Sequence, residues 1–268
     1  MADLFSKNDF NKFNIFLGEF LNKITNSPTT QAISRELFSI KKKDYILLNS
    51  NISLPELAQN LLDDVVLEKS EIIKILSKLF SDNTKYNITF HKNLLDSNLF
   101  SSIFSSSYDY IIEDYFFDLV NKNTPFCVNN DELKKISFYK IYGDLKESEK
   151  FVLSTQDIKR IKVLAFYETF WKKICADLCK NPTILLGINF NDSAFLGILD
   201  FIFSKVKNLH KPVFIYTDNN IKTENMEYFI KKYSMEVIEG QQNDFFNIIK
   251  EHFPAIKTAG DAPLQGYA

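Results

Sequence analysis

The stretch from Asn181 to Phe203 reads NPTILLGINFNDSAFLGILDFIF, and it decides the predicted fold. Its apolar run between Pro182 and Gly187 predicts a short buried strand, and the polar turn after it leads into an apolar-periodic helix. Gly187 permits a sharp backbone turn, while Asn191 or Asp192 can accept hydrogen bonds from the first N–H groups of the helix. In an open parallel sheet, nucleotides bind in the crevice at the carboxyl ends of the strands, where turns of this kind lead into helices. Many such turns, however, only reverse the direction of the chain.

Strands alternate with helices along most of the chain, which predicts a parallel sheet with covered faces. The predicted strands are 44–48, 99–104, 136–142, 151–153, 183–186, 212–216 and 235–238. The predicted helices are 8–25, 31–40, one that starts at 54, 68–80, 110–120, 155–180, one that ends near 203, 222–233 and 244–253. We therefore expect an α/β, Rossmann-like parallel sheet with helices on both faces and an N-terminal helical extension.

Three regions follow from this pattern. Residues 1–43 form a predicted N-terminal helical segment, because Phe10, Phe13, Leu17 and Phe20 recur at helical spacing. This segment is expected to pack on the core or on a second copy of the chain. Residues 44–254 form the predicted α/β domain. Residues 255–268 have no periodic apolar pattern and are interpreted as a disordered tail or an expression remnant.

Composition narrows the function classes. A formal net charge of −2 argues against general nucleic-acid binding. The longest apolar runs are shorter than a membrane span, and the first ten residues lack the order of a secretion signal. The expected location is the cytoplasm of a bacterium, with secretion as an effector left open. Cys175 and Cys179 lie one helical turn apart without a nearby His, so we expect small buried residues and no metal site.

Four segments follow one another in a set order. They are Phe104–Glu113, FSSSYDYIIE; Phe138–Leu145, FYKIYGDL; Phe151–Asp157, FVLSTQD; and Leu185–Asp192, LLGINFND. Together they resemble the sirtuin-like (silent-information-regulator-like) family, in the divergent bacterial branch whose members hydrolyse NAD or deacylate proteins. The resemblance spans about residues 44–240 and implies NAD or ADP-ribose as the ligand.

The resemblance also implies a set of site residues. The cofactor-binding set consists of Asn51, Ser53, Tyr108, Asp109, Gly187, Asn189, Asp192 and Asp218. Three of these residues also have a purely structural alternative. Tyr108 and Asp109 can cap the start of the following helix, and Asp192 can cap its own helix.

The departures from the family pattern concern catalysis. The family's glycine-rich loop corresponds here to residues 49–53, NSNIS, where side chains replace the glycines that approach a pyrophosphate. The family's catalytic Asn falls at Ser107 and its catalytic His at Tyr142. A tyrosine, with a pKa of about 10, is a poor general base near neutrality, and Tyr142 is expected to be a packed aromatic. Asp109 and Asp144 are the candidates for a substitute base.

Three functional hypotheses result. The favoured one is a degenerate sirtuin-like domain with weak or no catalysis that acts as a binding or assembly subunit in bacterial antiphage defence or an effector system. The second is an active NAD glycohydrolase that depletes NAD. The third is an unrelated α/β structural protein. A protein partner or self-association is expected, with an NAD-like nucleotide as a candidate ligand and no nucleic acid. Protein deacylation is least favoured, because three cysteines cannot build a four-cysteine zinc module.

Overall fold

The computed structural model describes residues 11–40, 53–81, 85–131, 133–147, 150–206, 211–218 and 223–252. Within these residues, seven strands form one sheet in the order β3-β4-β2-β1-β5-β6-β7, and every pairing is parallel. The strands are β1 Phe13–Leu17, β2 Phe100–Ser105, β3 Val120–Asn123, β4 Ile136–Lys140, β5 Thr183–Leu186, β6 Val213–Thr217 and β7 Glu236–Glu239. The predicted Rossmann-like α/β fold is confirmed.

Helices cover both faces of this sheet. They are α1 Asn22–Thr25, α2 Thr30–Ile40, α3 Leu54–Asp63, α4 Lys69–Phe80, α5 Thr89–Asp96, α6 Ile111–Tyr115, α7 Thr155–Val163, α8 Glu168–Lys180, α9 Ser193–Lys205, α10 Glu224–Tyr233 and α11 Gln242–His252. One hydrophobic core packs seven helices against the first face of the sheet, namely α2, α3, α4, α7, α8, α9 and α10. A second core packs α5, α6 and α11 against the other face. In the described part of the chain, no helix is both long and apolar enough to cross a membrane.

The N-terminal prediction is wrong in one essential respect. The described part of the predicted helix 8–25 contains β1, which pairs with β2 on one side and β5 on the other and so lies at the centre of the sheet. All five residues of β1 are buried. A central strand of a parallel sheet is apolar on both faces, so FNIFL carries no alternation and happens to fit helical spacing. The predicted strand 44–48 and the tail 255–268 lie outside the described residues.

Three further elements differ from prediction. The predicted strand 151–153 makes only an isolated antiparallel bridge, between Phe151 and Gly143. The predicted helix 155–180 is interrupted at Leu164, whose backbone is extended at φ −77° and ψ 131°, and a 3-10 turn joins α7 to α8. The predicted helix 110–120 ends at Tyr115, and β3 follows. The sequence analysis missed β3 because three of its four residues, Asn121, Lys122 and Asn123, are polar.

Aromatic stacking aligns the central strands. The Phe16 and Phe104 rings lie 4.3 Å apart, and the Phe104 and Tyr139 rings lie 4.9 Å apart, in both cases nearly parallel. These three residues are register partners across β1, β2 and β4. Cross-strand aromatic pairs of this kind stabilise a sheet and fix its register.

A buried polar cluster attaches α8 to the same face. The Asp177 carboxylate accepts hydrogen bonds from Ser102 Oγ at 3.0 Å and Tyr139 Oη at 2.5 Å, and Asn14 Nδ2 donates to the Asp177 carbonyl at 2.9 Å. A fully partnered polar cluster in a core specifies one arrangement of its elements. It therefore fixes α8 against β1, β2 and β4.

Candidate functional site

The strand order places a topological switch point between β1 and β5, since the chain runs outward from β1 first through β2 and later through β5. Ligands of open α/β sheets bind at such points, outside the carboxyl ends of the strands. The residues that meet there come from the loops after β1, β2, β4 and β5. We call this place the switch-point crevice. Its lining includes Glu19, Ser107, Tyr108, Tyr142, Asn189 and Asp192.

Two glycines bring the strand ends together at the floor of the crevice. Gly18 N–H donates to the Leu186 carbonyl at 2.9 Å, and Phe20 N–H donates to the Gly187 carbonyl at 3.1 Å. A Cβ atom on Gly18 would lie 2.3 Å from the Gly187 carbonyl oxygen. Gly187 has φ +69°, a left-handed conformation that favours glycine. The loop that follows the central strand is thus Gly18-Glu19-Phe20, whereas residues 49–52 of the segment compared with the family's glycine-rich loop lie outside the described residues.

The crevice is filled by aromatic side chains. The Tyr108 and Tyr142 rings stack with centroids 5.4 Å apart, and Phe195 packs on Tyr142 at 6.4 Å. The remaining cavity measures about 30 Å³, which is room for about one water molecule. Pockets that bind cofactors commonly measure about 300–1,000 Å³. The described residues leave no room here for a dinucleotide.

Tyr142 stands where the resemblance places a catalytic histidine. Its side chain is buried, and its hydroxyl has no hydrogen-bond partner among the described residues. Burial raises the pKa of Tyr142 well above its usual value, and the charges of Asp192 and Glu19 raise it further. A phenol in this state keeps its proton near neutral pH and does not act as a base.

Ser107 and Asp109 are held together by a hydrogen bond. Ser107 Oγ donates to Asp109 Oδ2 at 2.5 Å, and Ser27 Oγ donates to the same oxygen at 3.3 Å. The other carboxylate oxygen of Asp109 accepts from Ile111 N–H, the first residue of α6, at 3.1 Å. Asp109 thus accepts hydrogen bonds both from the first residue of α6 and from Ser107.

His91 lies in the same place although it is distant in sequence. It lines a cavity of about 10 Å³ together with Ser105, Ser107 and Asp109. Burial lowers the pKa of His91 to about 4, against the opposing charge of Asp109, so the imidazole is neutral at physiological pH. In the sequence, this histidine precedes the Ser-Tyr-Asp segment and stands outside the four segments that carry the resemblance. No local pattern could have revealed the contact, since it depends on α5 packing beside the end of β2.

Asp144, the second candidate base, forms an ion pair and a hydrogen bond with lysines that do not line the crevice. Its carboxylate pairs with Lys122 Nζ at 2.5 Å and accepts from Lys146 N–H at 2.9 Å. Burial would raise the pKa of Asp144, but Lys140 and these two partners outweigh it and lower the pKa below its usual value. Lys122 also lines a separate cavity of about 570 Å³ beside β3. Asp144 therefore belongs to an ion-paired cluster away from the crevice.

The loops after β1 and β5 bring carboxylates into the crevice. Glu19 accepts hydrogen bonds from Asn189 Nδ2 at 2.5 Å and from Thr30 Oγ1. Asp192 Oδ1 accepts from the N–H groups of Ala194 and Phe195, both at 3.1 Å, and caps α9. Glu19 was missed by the sequence analysis, although its position directly after an apolar run and a glycine is the signal that marks it.

Burial controls the charge of Asp192. It raises the pKa of this carboxyl to about 6, against the hydrogen bond from Phe195 N–H, and the charges of Glu19 and Glu56 raise it further. No lysine or arginine lines the cavity among the described residues. The crevice is therefore acidic.

The other predicted site residues lie apart or serve local structure. Ser53 caps α3, where its N–H donates to Glu56 Oε2 at 3.0 Å. Asp218 is exposed at the end of β6, and Asn51 lies outside the described residues. No group of three or more potential metal ligands occurs in the described ranges. Cys175 is half-buried and Cys179 is exposed, which corrects the expectation that both are buried.

The fold is that of a Rossmann-like α/β protein, with the crevice at the switch point of its parallel sheet. Residues 101–238 match the SIR2-like domain family, and the chain belongs to this family. The sirtuin-like resemblance is thereby confirmed. The match begins in β2, so the Gly18-Glu19 loop lies before it. A comparison with curated proteins found no match.

SIR2-like domains bind NAD-related ligands, and the crevice residues can be tested against that group. A pyrophosphate is anionic and requires backbone N–H groups or cationic side chains around it. Here Glu19 occupies the loop after the central strand, Asp192 faces the same cavity, and aromatic rings fill the space. The residues in this arrangement do not fit a dinucleotide.

Proposed function

We propose that this chain is a catalytically inactive SIR2-like domain that serves as a binding or assembly subunit in a bacterial defence or effector system, in the cytoplasm. The observation that carries this proposal is Tyr142. At the position where the resemblance expects the family's catalytic histidine, this chain has a buried phenol whose pKa is raised. General-base chemistry needs a group whose pKa lies near the working pH and whose acceptor atom reaches the substrate.

The filled crevice supports the same proposal. Tyr108, Tyr142 and Phe195 pack on one another where a ligand would lie. Rings that pack in this way contribute to the core of the domain. This packing supports a structural role for Tyr142.

An assembly role is supported by apolar side chains at the junction of α7 and α8. Val163 is 77% exposed and Phe166 is 71% exposed, and Leu164 lies between them with 49% exposed. Neighbouring exposed apolar residues are commonly part of an interface.

The second candidate function is an active NAD glycohydrolase, and one observation favours it. The resemblance assigns the family's catalytic Asn to Ser107, and the hydrogen bond between Ser107 Oγ and Asp109 Oδ2 supports a role for this carboxylate beside it. Asp109 would then accept the proton of a water molecule that replaces nicotinamide on the ribose.

Incubation with millimolar NAD distinguishes the two functions. Nicotinamide release is followed by chromatography, and the thermal unfolding midpoint is measured in the same samples. We expect no release. Release that persists through further purification and disappears in Asp109→Asn would overturn the proposal. Glu168→Gln, on the exposed surface of α8, is the matched control and should behave like the wild type.

A further inference from the structure

We propose that the switch-point crevice binds a primary alkylammonium group in place of a dinucleotide. This inference rests on the proposed loss of NAD chemistry and names the ligand class that the same site accepts. The ammonium can belong to a free amine or to a lysine side chain, because both present the same group.

The cavity of the switch-point crevice is negatively charged. The cavity is lined by the carboxylates of Glu19 and Asp192, while Glu56 adds to the negative field at Asp192. No cationic side chain lines the cavity in the described part of the chain. An anionic ligand is repelled here, and a cation is attracted.

An unpartnered hydroxyl is the second, independent observation. Tyr142 is 5% exposed and lines the cavity, and its Oη has no hydrogen-bond partner among the described residues. Buried polar atoms of native proteins are nearly always partnered, so an orphaned one calls for a partner, and a phenol oxygen can accept a hydrogen bond as well as donate one. A ligand with N–H groups supplies such a partner.

The number of acceptors matches the ammonium group. Within the described residues both hydrogen bonds of Asp192 go to Oδ1, which leaves Oδ2 for another donor. Together with Tyr142 Oη and the Glu19 carboxylate, this provides three acceptors at one cavity. A primary ammonium group carries three donors.

Size and ring contacts agree with this assignment. A cavity of about 30 Å³ admits a head group of about the size of a water molecule, and excludes ribose and pyrophosphate. The stacked rings of Tyr108 and Tyr142 line it and can attract a cation by their π systems.

Binding should depend on pH through Asp192. The titratable groups that face Asp192 are Glu19 after β1, Glu56 on α3, Tyr108 after β2 and Tyr142 after β4. Because the pKa of Asp192 is raised to about 6, its charge is complete only above that pH. The affinity for an ammonium group should therefore increase as the pH rises through about 6.

The test uses n-butylammonium chloride with the full chain at constant ionic strength, with the thermal unfolding midpoint as the readout. We expect a saturable rise that n-butanol and potassium chloride do not produce. Putrescine and Nα-acetyl-lysine methylamide, tested in parallel, separate a free amine from a lysine side chain. An equal rise with potassium chloride or n-butanol, or a rise with NAD instead of the amine, would overturn the inference.

Variants provide the matched comparison. Glu19→Gln, Asp192→Asn and Tyr142→Phe should each weaken butylammonium binding by about tenfold, whereas Glu168→Gln should leave it unchanged. Unchanged binding in all three crevice variants contradicts the site. Nicotinamide release in the same samples reports on the loss of catalysis, whereas the unfolding midpoint with butylammonium reports on amine binding, so the two failures are distinguishable.

Discussion

Replacement of Asp192 by Asn should make the protein more stable at neutral pH. Asp192 Oδ1 accepts both capping hydrogen bonds at the start of α9, from Ala194 and Phe195. Asn offers the same oxygen and is an equally good N-cap residue. The substitution therefore keeps the cap and removes only the charge.

The magnitude follows from the pKa of Asp192. Burial raises it from 3.8 to about 6, and one pKa unit corresponds to about 1.4 kcal/mol, so the penalty for ionisation is about 3 kcal/mol. The pKa of Asp192 is higher in the folded state than in the unfolded state. The folded protein is therefore free of this penalty below about pH 4, where Asp192 is protonated, and it loses the corresponding stability as the pH rises through about 6. The lost attraction between the charge and the helix dipole, about 0.3–1 kcal/mol, reduces the expected gain of Asp192→Asn to about 2 kcal/mol.

Urea denaturation from about pH 4 to about pH 8 measures this difference. Asp192→Asn and the wild type should agree within about 0.5 kcal/mol at the acid end and diverge between the two pKa values. Asp218→Asn, on an exposed carboxylate at the end of β6, is the control and should differ from the wild type by no more than about 0.5 kcal/mol throughout. An Asp192→Asn variant that is no more stable at about pH 8, or equally more stable at about pH 4, would refute the reasoning.

Three other substitutions have defined outcomes in the same denaturation assay. Gly18→Ala should destabilise by about 2 kcal/mol or more, because its Cβ would lie 2.3 Å from a backbone oxygen; no loss would contradict the close approach of β1 and β5. Tyr142→Phe should stabilise by about 1 kcal/mol, since it removes a buried hydroxyl without a described partner, and a clear loss would reveal a partner. Lys140→Met should cost about 3–5 kcal/mol, because it leaves buried Glu113 unpaired, and the added change Glu113→Gln should recover most of that loss.

Local sequence signals predicted the second half of the fold well. The segment from β5 to α9 follows from an apolar run, a glycine and an Asp cap, all within a short stretch. The N-terminal half was harder, because β1 is buried on both faces and its residues also match helical spacing. β3 carries mostly polar residues and offers no strand pattern.

The site was predicted in part for a similar reason. Tyr142, Asn189 and Asp192 were found through their short motifs, and all three line the crevice. Glu19 was missed because the central strand before it was read as a helix. The neighbourhood of His91 and Asp109 depends on packing between distant segments, which periodicity does not encode.

The most direct test of the central claim is a time course of nicotinamide release from millimolar NAD by the full chain, with Asp109→Asn beside it. We expect no release above the buffer rate for either protein, because Tyr142 keeps its proton and the described residues of the crevice leave no room for NAD. Release by the wild type that Asp109→Asn abolishes would contradict the account and identify the chain as an NAD glycohydrolase.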